Sequence, residues 1–184
     1  MSRIREILST LPASETDVNT KAFDGQTALR LAVRKGHVQV ARLLLENGAD
    51  FNLWDSGDAE VLEDACSSGQ IEIVQLLLKK GADVNGTRDF CGGPLCSAVL
   101  FGQERMVRLL LDNGAAVNVK GGFGGNPLQT AAFRGDETIV QLLLENGAEV
   151  NACGESQQNT ALRLALFMGH EAIARLLREW GAVE

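Results

Sequence analysis

The sequence predicts an all-α solenoid of five helix-turn-helix repeats with hairpin loops between them and a capping helix at the N-terminus. Three observations predict it. A Gly-Ala pair recurs at Gly48, Gly81, Gly114, Gly147 and Gly181, in steps of 33, 33, 33 and 34 residues. A second glycine keeps the same period at Gly36, Gly69, Gly102, Gly135 and Gly169. Between the two markers an apolar i, i+3, i+4 stripe returns each time, and self-similarity at a period between about 20 and 50 residues is the signature of repeat architecture.

Each unit reads as helix, turn, helix, loop. In the first, residues 27 to 35 lead into Gly36, and the following segment places Val40, Leu43 and Leu44 on one helical face. The stripe recurs as Ile73, Leu76 and Leu77, as Met106, Leu109 and Leu110, as Ile139, Leu142 and Leu143, and as Ile173, Leu176 and Leu177. Gly48 and its equivalents end the second helix, because glycine accepts the left-handed conformation common at helix C-termini. Ala32, Ala65, Ala98, Ala131 and Ala165 sit on the shorter first helix, where a small side chain lets neighbouring helices approach. The repeats are expected at 19–51, 52–84, 85–117, 118–150 and 151–184, in one domain spanning 1–184. Residues 1–18 supply the cap, with Ile4, Ile7, Leu8 and Leu11 at helical spacing. At the other end Arg178 replaces the third leucine of the series, as a solvent-facing terminal helix requires, so the chain reads as a complete solenoid.

Thr27-Ala28-Leu29-Arg30, Gly36-His37 and the run from Leu43 to Asn52 resemble the ankyrin repeat, with its T-P-L-H, G-H and L-L-x-x-G-A-D-V-N signatures. The resemblance extends from Asp17 to Ala182. The fourth repeat, from Gly122 to Gly135, is most similar to the repeats of fungal ankyrin proteins. The second repeat departs from the pattern, with Glu60-Val61-Leu62-Glu63 where T-P-L-H is expected, and the third has Gly93-Pro94-Leu95-Cys96. The extra residue of the last repeat falls between Asn151 and Thr160, in a loop. The resemblance implies an L-shaped stack of helix pairs whose hairpins and first helices border a concave groove.

Composition excludes several functions. The 184 residues carry a net charge of −7 and no run of more than two Lys or Arg, which disfavours nucleic acid as a partner. No apolar stretch approaches the 18 or so residues that a membrane span needs, and no secretory signal opens the chain, so a cytoplasmic or nuclear location is expected. Cys66, Cys91, Cys96 and Cys153 read as free thiols, and the C-x4-C pair lacks the second pair that would complete a zinc site. No metal and no cofactor is expected.

Catalytic constellations are equally lacking. His37 and His170 occupy the G-H position and read as structural. The glycine-rich stretch from Gly121 to Gly125 lacks the Gly-Lys-Ser/Thr of a phosphate loop. Glu60, Glu63 and Asp64 are read as solvated or paired carboxylates rather than acid-base machinery. Glu63 occupies the register of Arg30 one repeat on, so these two are expected to pair, and Cys96, Gln129 and Arg163 continue a ladder of inter-repeat hydrogen-bonding side chains.

The aromatic residues carry the functional reading. The ankyrin pattern implies that hairpin tips and the two residues before the first-helix glycine face the groove. Phe23, Trp54, Phe90 and Phe123 fall in hairpins, whereas Phe101, Phe133 and Phe167 precede that glycine, so seven of nine aromatics map to the groove. With Arg34, Lys35, Leu100, Arg134 and Met168 they make a surface that is basic at one end and apolar at the other. Such a surface suits a partner protein presenting an apolar or aromatic segment. The alternative is an apolar small molecule, bound or acted on by a cyclase or isomerase that works through positioning in the same aromatic pocket.

Overall fold

A computed structural model describes residues 17–23, 25–52, 61–86, 92–121, 125–153 and 159–183. The expected N-terminal cap, Glu60, Cys91 and the site candidates Trp54, Phe90 and Phe123 lie outside them. Among the described residues ten helices follow one another: α1 (Ala28–Arg34), α2 (Val38–Glu46), α3 (Val61–Ser67), α4 (Ile71–Lys79), α5 (Gly93–Leu100), α6 (Glu104–Asp112), α7 (Pro127–Arg134), α8 (Glu137–Glu145), α9 (Ala161–Phe167) and α10 (Glu171–Glu179). No strand forms among the described residues; a single antiparallel bridge, Lys21 to Thr27, closes the first hairpin.

Local chemistry sets the helix ends. Thr27 and Thr160 cap α1 and α9 by accepting the backbone N–H three residues on, and Asn126 and Gln129 form a reciprocal capping box on α7. Pro94 and Pro127 occupy the first turn, where the missing N–H is no loss. Helices α1, α3, α5 and α9 then close in the same way, whereas at the end of α7 the Gly135 and Asp136 N–H groups both donate to the Ala131 carbonyl at 3.1 Å. In α1 the His37 N–H donates to the Ala32 carbonyl at 2.8 Å and the Gly36 N–H to the Val33 carbonyl at 2.9 Å, the paired bonds of a Schellman turn.

Packing follows a two-layer plan. The odd-numbered helices lie side by side in chain order, the even-numbered ones likewise, and each odd helix packs on the even helix after it. Leu29, Ile73, Leu77, Met106, Leu110, Ile139, Leu143, Leu162, Ile173 and Leu177 are fully buried between these layers. A buried side chain of this size contributes about 1.5–3 kcal/mol relative to exposure. The expected stripe needs one amendment. Ile73, Met106, Ile139 and Ile173 are all within 2% of full burial, whereas Val40 at the same register is 36% exposed and Ala41 and Leu45 fill the core side of α2. Val40 belongs to the first of the described helix pairs.

Polar links fix the register between neighbours. Asn118 donates from Nδ2 to the Gly147 carbonyl at 3.1 Å and accepts at Oδ1 from the Glu149 N–H at 2.9 Å. Asn19, Asn85 and Asn151 make the same two-way bridge to the loop one unit further on. The ladder read from sequence is also present in part: the Cys96 thiol donates to the Gly121 carbonyl at 3.4 Å, and the buried Gln129 amide donates to the carbonyls of Ala152 and Asn159. Arg30 has a partner that the sequence reading did not name: its Nε pairs with Asp64 Oδ2 at 3.0 Å, one residue beyond Glu63. Asp64 keeps 20% of its side chain exposed, which lowers the desolvation cost of this ion pair.

The bridges differ usefully at one step, since among the described residues Asn52 makes no such link to Gly81 and Asp83. Asn118→Ala should therefore lower unfolding free energy by about 1–2 kcal/mol, and Asn52→Ala by less than about 0.5 kcal/mol, in urea titrations. Equal losses would show that the bridge contributes nothing beyond local loop order.

Candidate functional site

Because the first helices stack in order, their last residues fall in one row along an edge of the molecule. The row reads Arg34-Lys35, Ser67-Ser68, Leu100-Phe101, Phe133-Arg134 and Phe167-Met168. Phe101, Phe133, Phe167 and Met168 are 56%, 44%, 84% and 41% exposed. The core between the helix layers is filled without them. Leu100 is half-buried, and Arg34 and Lys35 are exposed. Arg34 donates to Gln26 Oε1 at 3.1 Å, tying the first hairpin to the basic end of the row, and Phe23 projects fully exposed from that hairpin. Arg134 holds Asp136 at 3.6 Å.

A second line of side chains, not legible as a site in the sequence, lies directly beside the row. The residue after each first-helix glycine reaches back over the glycine of the preceding unit. Gln103 occupies the space where Gly69 would carry a Cβ, and the His170 ring occupies that of Gly135, 2.6 Å from the ideal position. Arg134 and Asp136 fill the same place over Gly102. His170 Nε2 lies 3.2 Å from the Phe133 carbonyl, so the imidazole ties the turn of one unit to an exposed aromatic of the one before. Gly135, at φ +83°, thus serves both a left-handed helix end and the seat of an aromatic ring. The only sequence signal for this line is the shared register position, whose meaning appears once the units are stacked.

Glu63 is buried in α3 and Asp64 is engaged by Arg30. The buried Cys66 thiol is pushed far above its ordinary range, first by desolvation and then by the Glu63 carboxylate, and a thiol that stays protonated is a poor nucleophile. Cys66, Cys96 and Cys153 form no disulfide. Among the described residues no group of His, Cys, Asp and Glu is placed to hold a metal ion, and no helix is long and apolar enough to cross a membrane.

A two-layer stack of short helix pairs with a periodic loop bridge defines a helical-repeat solenoid. A family model described as "Ankyrin repeats (3 copies)" matches residues 3–88 and 95–183, and the chain belongs to the ankyrin-repeat family, whose repeats generally serve as protein–protein interaction modules. No curated protein matches it.

The seat at Gly135 has a built-in control in Gly169, which has a similar φ of +76° but no neighbouring atom within 4 Å of its ideal Cβ. Gly169→Ala should cost about 1 kcal/mol for the left-handed backbone alone. Gly135→Ala should cost about 1–3 kcal/mol more, because the His170 ring must also move. Equal losses in thermal or urea unfolding would show that the ring is not held in place.

Proposed function

We propose that this protein is a non-enzymatic binding module that recognises a partner protein through a concave, aromatic-rich groove along the row of first-helix ends. The supporting observation is the line of Phe101, Phe133, Phe167 and Met168, exposed on consecutive packed helices whose core is complete without them. Contiguous exposed apolar surface of this kind marks interaction sites. Arg34 and Lys35, exposed at the opposite end, give the groove a polarity: the partner presents an apolar or aromatic segment to the last three units and an acidic group to the first. Leu100 and Arg134 flank the anchors, and Phe23 borders the basic end. Trp54, Phe90 and Phe123 extend the same surface from the sequence pattern. The reading places the protein in the cytoplasm or nucleus and requires neither nucleic acid nor cofactor.

Each ring buried by a partner contributes about 1–3 kcal/mol, whereas an exposed Lys or Arg contributes about 1 kcal/mol or less and loses it in salt. Peptides selected from a displayed random library on the purified protein should thus be rich in Phe, Leu and Met, with an acidic residue toward one end. Phe133→Ala should weaken the best peptide by about tenfold or more with the circular dichroism spectrum unchanged. Lys35→Ala should act modestly and only at low ionic strength. If Phe101→Ala, Phe133→Ala and Phe167→Ala all leave affinity unchanged while substitutions on the even-numbered helices abolish it, the groove is not the site.

A further inference from the structure

Successive positions of the exposed row are carried by first helices packed side by side, and packed helices stand about 8–10 Å apart. Side chains that cross from unit to unit hold this interval. Gln103 lies over Gly69, Arg134 and Asp136 over Gly102, and His170 over Gly135, with its Nε2 3.2 Å from the Phe133 carbonyl. A segment that lays one side chain against each of Phe101, Phe133 and Phe167 must repeat at the same interval. An extended strand returns to one face every two residues, after about 6.6 Å, and an α-helix squarely only after seven, about 10.5 Å. A polyproline II helix has three residues per turn and returns after about 9.3 Å, within the spacing of packed helices. The difference grows along the row. From Lys35 to Met168 four spacings make about 32–40 Å, which twelve residues of polyproline II cover at about 37 Å and four seven-residue helical steps overrun at about 42 Å.

The backbone of the row favours the same conformation. The N–H groups of Lys35, Ser68, Phe101 and Met168 each donate to the carbonyl four residues back, at 3.1, 3.3, 3.1 and 3.0 Å. Those donors are spent within their own helix ends, so an added strand finds no ladder there to extend. Polyproline II needs none, because its own backbone is fully solvated, and its fixed φ leaves little entropy to lose on docking.

Resting on the groove reading above, we propose that the partner segment is a proline-rich stretch in the polyproline II conformation. It sets an apolar residue at every third position against Phe101, Phe133 and Phe167, with prolines between. Arg34 and Lys35 stand two units before Phe101, which places the acidic residue six positions from the first apolar anchor. The position midway between them faces Ser67 and Ser68, where a small polar residue fits.

The test uses the full chain and synthetic peptides in a proline background, followed by fluorescence anisotropy. The designed peptide carries Glu first, Ser fourth, and Leu seventh, tenth and thirteenth, and is made in both chain orders. Controls of the same composition space the leucines by two or by four, and a stapled α-helix carries them at every seventh position. Saturable binding of the designed peptide in one chain order is expected, about tenfold or more tighter than its respaced controls, and weakened about tenfold or more by Phe133→Ala. Lys35→Glu should weaken it at low ionic strength and should favour the same peptide carrying Lys in place of Glu, a reversal that general destabilisation cannot produce. Respaced peptides that bind equally well overturn the proposal. So does tighter binding of the stapled helix with the same loss on Phe133→Ala, a result that leaves the groove standing as the site. Binding of the designed peptide that survives Phe101→Ala, Phe133→Ala and Phe167→Ala overturns both this proposal and the groove. Lack of saturable binding by the designed peptide overturns the polyproline II segment, and the library selection then decides the groove separately.

Discussion

No helix pair in this molecule can bury its own apolar face, and everything else in the structure depends on that. The helices run seven to nine residues, below the length at which an isolated helix holds together in water. They persist because each pair is roofed by the next, as the register of Val40, Ile73, Met106, Ile139 and Ile173 shows: the four with a described pair before them are buried, and Val40, in the first described pair, is 36% exposed. Stability of this kind is a sum over neighbour contacts.

Apolar stacking alone would permit slippage, and polar side chains remove that freedom. The Asn bridges tie loop to loop, Gln129 reaches carbonyls of the next loop from a nearly fully buried position, and Gln103 and His170 rest in the hollows of glycines one unit back. A fixed register is what places one exposed residue pair per unit along a single edge. The surface that emerges owes its line to the repeat and its character to substitution within it: Arg and Lys at one end, serines next, then Leu, Phe and Met. Evenly spaced variable positions on an invariant frame suit recognition of a polypeptide, which also repeats at regular intervals.

Much of this was legible in the sequence because periodic burial leaves periodic residues. The glycines, the alanines and the leucine pairs located ten helices and the family. The row of helix ends followed from the same register, and its exposure agrees with the surplus of aromatics over core demand. What the sequence could not resolve depends on distances between units. The pairing of Arg30 with Asp64 was not foreseen because equivalent positions in adjacent units are only approximately opposite, so a residue one step beyond the register comes into reach. The seats of Gln103 and His170 were invisible for the same reason, since each becomes a contact only when one unit lies over the glycine of another.

The dependence of each pair on its neighbours is tested most directly by native-state hydrogen exchange resolved to individual helices. Amides of α5 to α8, roofed on both sides, should exchange most slowly and approach the global unfolding free energy. Those of α1, α2, α9 and α10, at the two ends of the described row, should open at lower free energy. Uniform protection from α1 to α10, or terminal pairs as protected as the central ones, would contradict an account in which neighbours hold each pair in place.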